Sequence, residues 1–280
     1  MCLGGHFRAF SFVDRISALA PDHVRGSYTI PSAIQTFPAA LVAEAVGQLA
    51  AWAAMASLEF KSRPVAGLAA SIELLSPVRA GQVLELAADL ETVDEEAAAY
   101  DGTASVNGIP VIRLRHCVGP MMPVEDFDDP RALRERFALL RGGGAAPGAF
   151  TGVVPLDLNH NGGDDERALR ATLHVPVNAP FFADHFPRRP VLPGSLLMNS
   201  NLELVAGLAA KLPVAAGRRW ALRGVADVKL RAFTPPGETL EIDARLNQLS
   251  ADEATVNVET RKGKRVIGGS RVRLATEVSA

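Results

Sequence analysis

The chain repeats itself at a fixed spacing, and this constrains its fold more than any single residue does. FPAALVAEAVGQLAA around Pro38 aligns with LPGSLLMNSNLELVA around Pro193. SIELLSPVRAGQVLELAADL (71–90) aligns with DVKLRAFTPPGETLEIDARL (227–246), setting Leu74 against Leu230, Gly81 against Gly237 and Glu85 against Glu241. NGIPVIRLRHCV (107–118) follows KGKRVIGGSRVRL (262–274) through Gly108 and Gly263. The offset holds at 155 or 156 residues, where a chance likeness would drift, so the chain reads as a duplicated unit.

Each copy presents the same order of elements. A short extended piece (HVRGSYTI; ERALRATLHV) leads through a loop to a long apolar helix opening at Pro38 or Pro193. Proline suits a first helical turn, because the N–H it lacks would have no partner there. Strands follow. Leu240–Leu246 and Thr255–Thr260 alternate apolar and polar side chains as half-buried strands do, and Pro-Pro-Gly (235–237) marks a turn. The expected architecture is α+β, with a buried helix wrapped by an antiparallel sheet in each repeat. A spacer separates the copies, with a helix over 129–141 ending at Gly142-Gly143-Gly144 and Pro147-Gly148 opening the second unit. The boundaries are therefore set at 1–118, 119–148 and 149–280.

Composition excludes several classes. With 48% hydrophobic residues in a chain of 280, there is ample apolar surface to offset chain entropy, so disorder is excluded. Twenty-nine basic residues against 31 acidic ones argue against a nucleic-acid partner. Two cysteines, Cys2 and Cys117, cannot build a disulfide framework, which makes a reducing, cytoplasmic setting the default. The segment Pro38–Leu58 is 21 residues long with a single charge, the length of a membrane span. It is mostly alanine, however, and carries Glu44 and Gln48 within; a charge there costs ~2.5 kcal/mol or more in a bilayer. A buried helix is the better reading, with no leader segment and no span expected.

One loop concentrates the chemistry. The second copy carries His185-Phe-Pro-Arg-Arg-Pro-Val-Leu-Pro-Gly194 immediately before its long helix. This segment resembles the active-site loop of the hotdog-fold β-hydroxyacyl-(acyl-carrier-protein) dehydratases. The resemblance covers most of both repeats and implies a double hotdog. It also implies a catalytic acid 14 residues after the histidine, followed four residues later by glutamine. Position 199 in the second copy is Asn, whereas the first copy has Glu44 and Gln48 at that spacing, with Ile30 where a histidine would stand. In the resembling homodimers each site joins one subunit's histidine to the other's acid. One such combination survives here, His185 with Glu44.

These side-chain types suit the chemistry. A neutral imidazole can take a proton from C2 of the acyl group, and a buried carboxyl, its pKa raised by desolvation, can donate one to the C3 hydroxyl; the alternative is that His185 alone moves both protons. Gln48 is placed one turn on to orient Glu44. By resemblance, the N–H of Gly194 at a helix start would hold the thioester carbonyl. The competing readings are a surface role for His185 and a structural ion pair between Glu44 and Arg188 or Arg189. Asn199 and Glu203 are expected to satisfy each other. His6, His23, His116, His160 and His174 share no motif or metal-ligand spacing, and His160 reads as part of a turn. Trp52 and Trp220 are expected to pack the core. EDFDD (125–129) and RKGKR (261–265) read as solvated surface, the latter with an acidic carrier protein as the rival reading.

The resemblance thus implies dehydration of a β-hydroxyacyl thioester on an acyl carrier protein, with no metal and no cofactor. The rivals are a hotdog thioesterase and a non-catalytic acyl-binding protein, and homo-oligomerisation is left open.

Overall fold

The computed structural model describes residues 7–146, 150–152, 156–161 and 166–279; Cys2, His6 and the Pro147-Gly148 dipeptide lie outside the described residues. In chain order, β1 (Arg15–Leu19) and β2 (His23–Thr29) precede helix α1 (Ala39–Ser57). Next come β3 (Ser62–Pro64), β4 (Leu68–Leu74), β5 (Val83–Val93), β6 (Ala97–Val106) and β7 (Ile109–Pro123). Helix α2 (Pro130–Arg141) leads to β8 (Asp157–Asn161), β9 (Ala168–His174) and helix α3 (Gly194–Ala209). The chain closes with β10 (Arg218–Leu230), β11 (Thr239–Leu249), β12 (Glu253–Lys262) and β13 (Arg265–Val278).

These strands form one 13-stranded antiparallel sheet in an α+β arrangement, in the order β1-β2-β5-β6-β7-β4-β10-β13-β12-β11-β9-β8, with β3 beside β7. Read from the middle outward, each side of the β4–β10 joint repeats one sequence of steps. The joint itself is a regular ladder running from Gly224↔Glu73 to Lys229↔Leu68. Pairing these two edges leaves neither exposed as a template for other chains.

Helix α1 is alanine-rich, and alanine has the highest intrinsic helix propensity. Its burial extends nearly all round, from Ala40 to Met55, because β2, β5, β6 and β7 curl about it and α3 lies alongside. It is long and apolar enough to cross a bilayer, yet 67% of its most apolar window is buried inside the protein. Trp52 packs in the core, stacked on Phe137 and tilted against Phe7, whereas Trp220 is only half-buried.

Pro38 and Pro193 stand as the N-caps of α1 and α3, a residue type with no side-chain group to cap the helix. Helix α2 starts where the sequence placed it, with the Asp129 carboxylate accepting the Arg131 N–H. Strand β7 runs on to Pro123, past the expected end of the first unit at 118. The following residues are part of the core as well: Phe127, Leu133 and Leu140 are at most 3% exposed. Asp128 is 2% exposed, which corrects the expectation that EDFDD is solvated surface. His160 also departs from expectation, since it lies in β8, paired with Ala171, and not in a turn.

Two structural details bear on Ile30 and the loop that holds His185. The carbonyl of Ile30 accepts the Gly81 N–H at 2.9 Å, and that of Val175 accepts the Gly237 N–H at 3.1 Å. Both glycines have φ +79°, a left-handed conformation that side chains disfavour. The Ile30 carbonyl thus meets Gly81 as the Val175 carbonyl meets Gly237. Nine residues join β2 to α1 but nineteen join β9 to α3, and His185 lies in the longer connection.

Candidate active site

Helix α1, the N-terminus of α3, strand β3 and the loop before α3 enclose a cavity of about 280 Å³. Glu44, Gln48, His185 and Gly194 all line it, so residues from distant parts of the sequence share one space.

The loop is tied down at several points. The His185 N–H donates to the Phe181 carbonyl at 2.8 Å, and the Val191 N–H donates to the His185 carbonyl at 3.1 Å. Nδ1 of the ring lies 3.2 Å from the Val191 carbonyl oxygen. A carbonyl can only accept, so Nδ1 carries the proton in the neutral ring and Nε2 keeps its lone pair. Burial, reinforced by the Arg63 charge, pushes the imidazole pKa down to about 4. The ring is therefore neutral near pH 7 and equipped to accept a proton.

Glu44 is one α1 residue among alanines and valines. Burial raises its carboxyl pKa, while Gln48, Ser195 and Arg63 pull it back. Gln48 Nε2 donates to Glu44 Oε1 at 3.0 Å and to the Phe10 carbonyl at 3.0 Å; its own Oε1 accepts the Phe12 N–H at 2.8 Å. The Phe10 N–H in turn donates to the Asp184 carboxylate at 2.6 Å. The segment through Phe10 and Phe12 thus connects the glutamine beside the acid to the residue before the histidine. Sequence reasoning missed this strap, because two phenylalanines near the start of a chain carry no motif.

Gly194 is the first residue of α3, where backbone N–H groups lack intrahelical partners. A Cβ there would lie 2.4 Å from Leu230 Cδ1, so the helix start approaches β10 as closely as glycine allows. Ser195 beside it faces Glu44 but makes no hydrogen bond of full geometry.

The arginine near Glu44 is neither Arg188 nor Arg189. Arg188 donates to the Glu125 carbonyl, and Arg189 lies over Phe127 and Phe233. Arg63 of β3 occupies the cavity wall instead, 3.9 Å over the Phe186 ring and 3.5 Å from Asp128 Oδ2. Asn199 donates to Glu203 at 2.8 Å, toward the surface. Deeper in the cavity Tyr100 and Cys117 face each other; burial pushes the thiol to about 11, which keeps it an unreactive thiol. On the surface, ligand atoms of Glu91, Asp101 and His116 lie within 4.8 Å of one another, but Asp101 already pairs with Arg115 at 2.6 Å.

Chemically, the cavity offers a neutral base, an acid biased toward protonation and free N–H donors within apolar walls. Residues 161–270 match a family model described as ApeI-like, ApeI dehydratase. A 3-hydroxyacyl-[acyl-carrier-protein] dehydratase FabZ of Rickettsia felis is 34% identical over 112 residues, covering 38% of this chain and 72% of that protein. Among solved structures, a putative oleoyl thioesterase from Lactobacillus plantarum aligns with a TM-score of 0.59 at 12% identity, covering 92% of this chain and 97% of that one. An acyl-ACP thioesterase from Bacteroides thetaiotaomicron aligns with a TM-score of 0.53 at 11% identity, covering 90% and 97%. At such identities the two structures speak to the fold alone.

Proposed function

The chain belongs to the hotdog-fold 3-hydroxyacyl-(acyl-carrier-protein) dehydratase family, and from that premise we propose that it removes water from a β-hydroxyacyl thioester at a single composite site. In this reading the chain is a fused pair of hotdog units, β1–β7 with α1 and β8–β13 with α3. The mirrored strand order and the matched glycines Gly81/Gly237 and Gly108/Gly263, all with positive φ, support it.

The reaction follows from the groups present. His185 Nε2 takes the C2 proton, and the C–H electron pair becomes the C2–C3 double bond. The C3–O bond breaks as Glu44 gives its proton to the departing hydroxyl, which leaves as water. The Gly194 N–H would receive the thioester oxygen as it gains negative charge. At the end of a turn the imidazole is protonated and the carboxylate ionised; a proton must pass between them to reset the site. Burial pushes each group toward the form its role requires, neutral imidazole and neutral carboxyl alike.

The observation carrying this proposal is that His185, with Nδ1 committed to Val191, and Glu44, bonded to Gln48, line one cavity from two separate stretches of chain. The decisive assay supplies β-hydroxyacyl thioesters of graded length on acyl carrier protein and on coenzyme A, and follows enoyl absorbance and free thiol together. Enoyl product with the thioester intact is expected. Released thiol would make the protein a thioesterase, and ligand binding without turnover would make it an acyl-binding protein.

A further inference from the structure

Arg63 is an arginine buried where burial is costly. Its side chain is 12% exposed, and its Nε and Nη1 have no hydrogen-bond partner among the described residues. Among the described residues its carboxylate neighbour at ion-pair distance is Asp128, 3.5 Å away, too long for a strong charge-assisted bond. Removing an ion from water costs several kcal/mol, and this pairing repays little of it. The position is nevertheless fixed, by the face of Phe186 at 3.9 Å, by Asp128 and by the ladder contact of β3 with β7. A structural arginine would have its donors satisfied.

The cavity gives the charge a task. Its other lining cation, Lys229, is exposed on β10. The groups facing Glu44 are Gln48 on its own helix, Ser195 of α3, Arg63 of β3 and Tyr100 of β6, with Cys117 of β7 behind Tyr100. His185 has Arg63 and the aromatic rings of Phe10 and Phe186 about it, and Asp184 beside it is engaged by backbone N–H groups of the N-terminal strap. Arg63 is thus the buried cation shared by both.

We propose that Arg63 is a positioning residue acting through Glu44: it is the fixed counter-charge for the carboxylate that Glu44 becomes when its proton leaves with the departing hydroxyl. This inference rests on the dehydratase reading. Without a cation, an ionised carboxyl would be stranded among alanines, and proton donation would be uphill. The same charge opposes protonation of His185, holding the base in its reactive form between turns. Asp128 fixes the guanidinium without neutralising it fully, since the two remain loosely paired.

The test compares Arg63→Met with Arg63→Lys, and adds Arg63→Gln as a second neutral variant should the first fail to fold. Neutral variants should lose about tenfold or more in kcat with little change in KM. Both limbs of the pH–rate profile should move upward, because Arg63 lowers the pKa of both groups. Arg63→Lys should restore the limb positions. A role confined to packing would move neither limb, and unchanged limbs in a folded neutral variant would overturn the proposal. NMR titration of the His185 ring provides a readout independent of turnover: its pKa should rise in the neutral variants. If the ring titration shifts but no acyl thioester is dehydrated, the proposed function fails while the charge coupling stands; if turnover is present and the titration is unmoved, the role of Arg63 fails alone.

Discussion

Gln48 Nε2 donates to Glu44 Oε1 at 3.0 Å while Gln48 Oε1 accepts the Phe12 N–H at 2.8 Å, so one amide both orients the acid and holds the N-terminal strap. Gln48→Leu should therefore do two things. It orphans a buried N–H, costing about 1–3 kcal/mol in urea unfolding. It also removes a hydrogen bond that lowers the Glu44 pKa, so the alkaline limb of the pH–rate profile should move upward. Loss of stability with an unmoved limb would show that the amide serves the strap alone.

An ordinary histidine base loses activity below about pH 6.5. Here burial pushes the imidazole pKa down to about 4, so kcat/KM should persist well into the acid range. At the other end, rate should fall as pH rises through the raised pKa of Glu44, because the acid must be protonated. His185→Gln and Glu44→Gln should each abolish turnover with the fold retained, as checked by circular dichroism and the enoyl assay.

The same titration is written into stability. Between pH 6.5 and about 4 the unfolded chain binds a proton at His185 that the folded chain refuses. Stability contributed by the neutral ring is thus complete above pH 6.5 and drains away as pH falls through that window. His185→Gln should flatten this slope in denaturant midpoints measured across the window.

A methyl group at Gly194 would meet Leu230 Cδ1 at 2.4 Å. Gly194→Ala should destabilise by about 1 kcal/mol or more and raise KM as Leu230 is pushed into the cavity. Gly194→Ala combined with Leu230→Ala should recover KM, since the clash is with one side chain and not with backbone.

Asn199 has no part in the cavity and bonds to exposed Glu203. Asn199→Ala should leave turnover unchanged and alter stability by only about 0.5 kcal/mol. A loss comparable to that of Glu44→Gln would mean the pocket has been assigned to the wrong end of the helix pair.

Much of this was legible in the sequence because local signals and burial agreed. Prolines opened both long helices, alternation marked β11 and β12, and the histidine loop and the Glu44–Gln48 pair came from motif spacing. What escaped notice depends on distant segments meeting. Arg63 sits on a three-residue strand, and only Asp128 and Phe186, from elsewhere in the chain, make its setting unusual. Asp128 itself hides in an acidic run in which only it and neighbouring Phe127 are buried. Ile30 was matched to the histidine by a fixed offset, which cannot register that one loop is ten residues longer than the other. His160 lies among turn-forming residues, but pairing with β9 outweighs their preference.

The β4–β10 ladder has a kinetic corollary. A site shared between separate subunits empties as those subunits come apart on dilution. Here the helix bearing Glu44 and the loop bearing His185 belong to one polypeptide whose two arcs are stitched rung by rung at Ile72 and Val225. Turnover per molecule should consequently stay level from micromolar stock to the thinnest assay mixture.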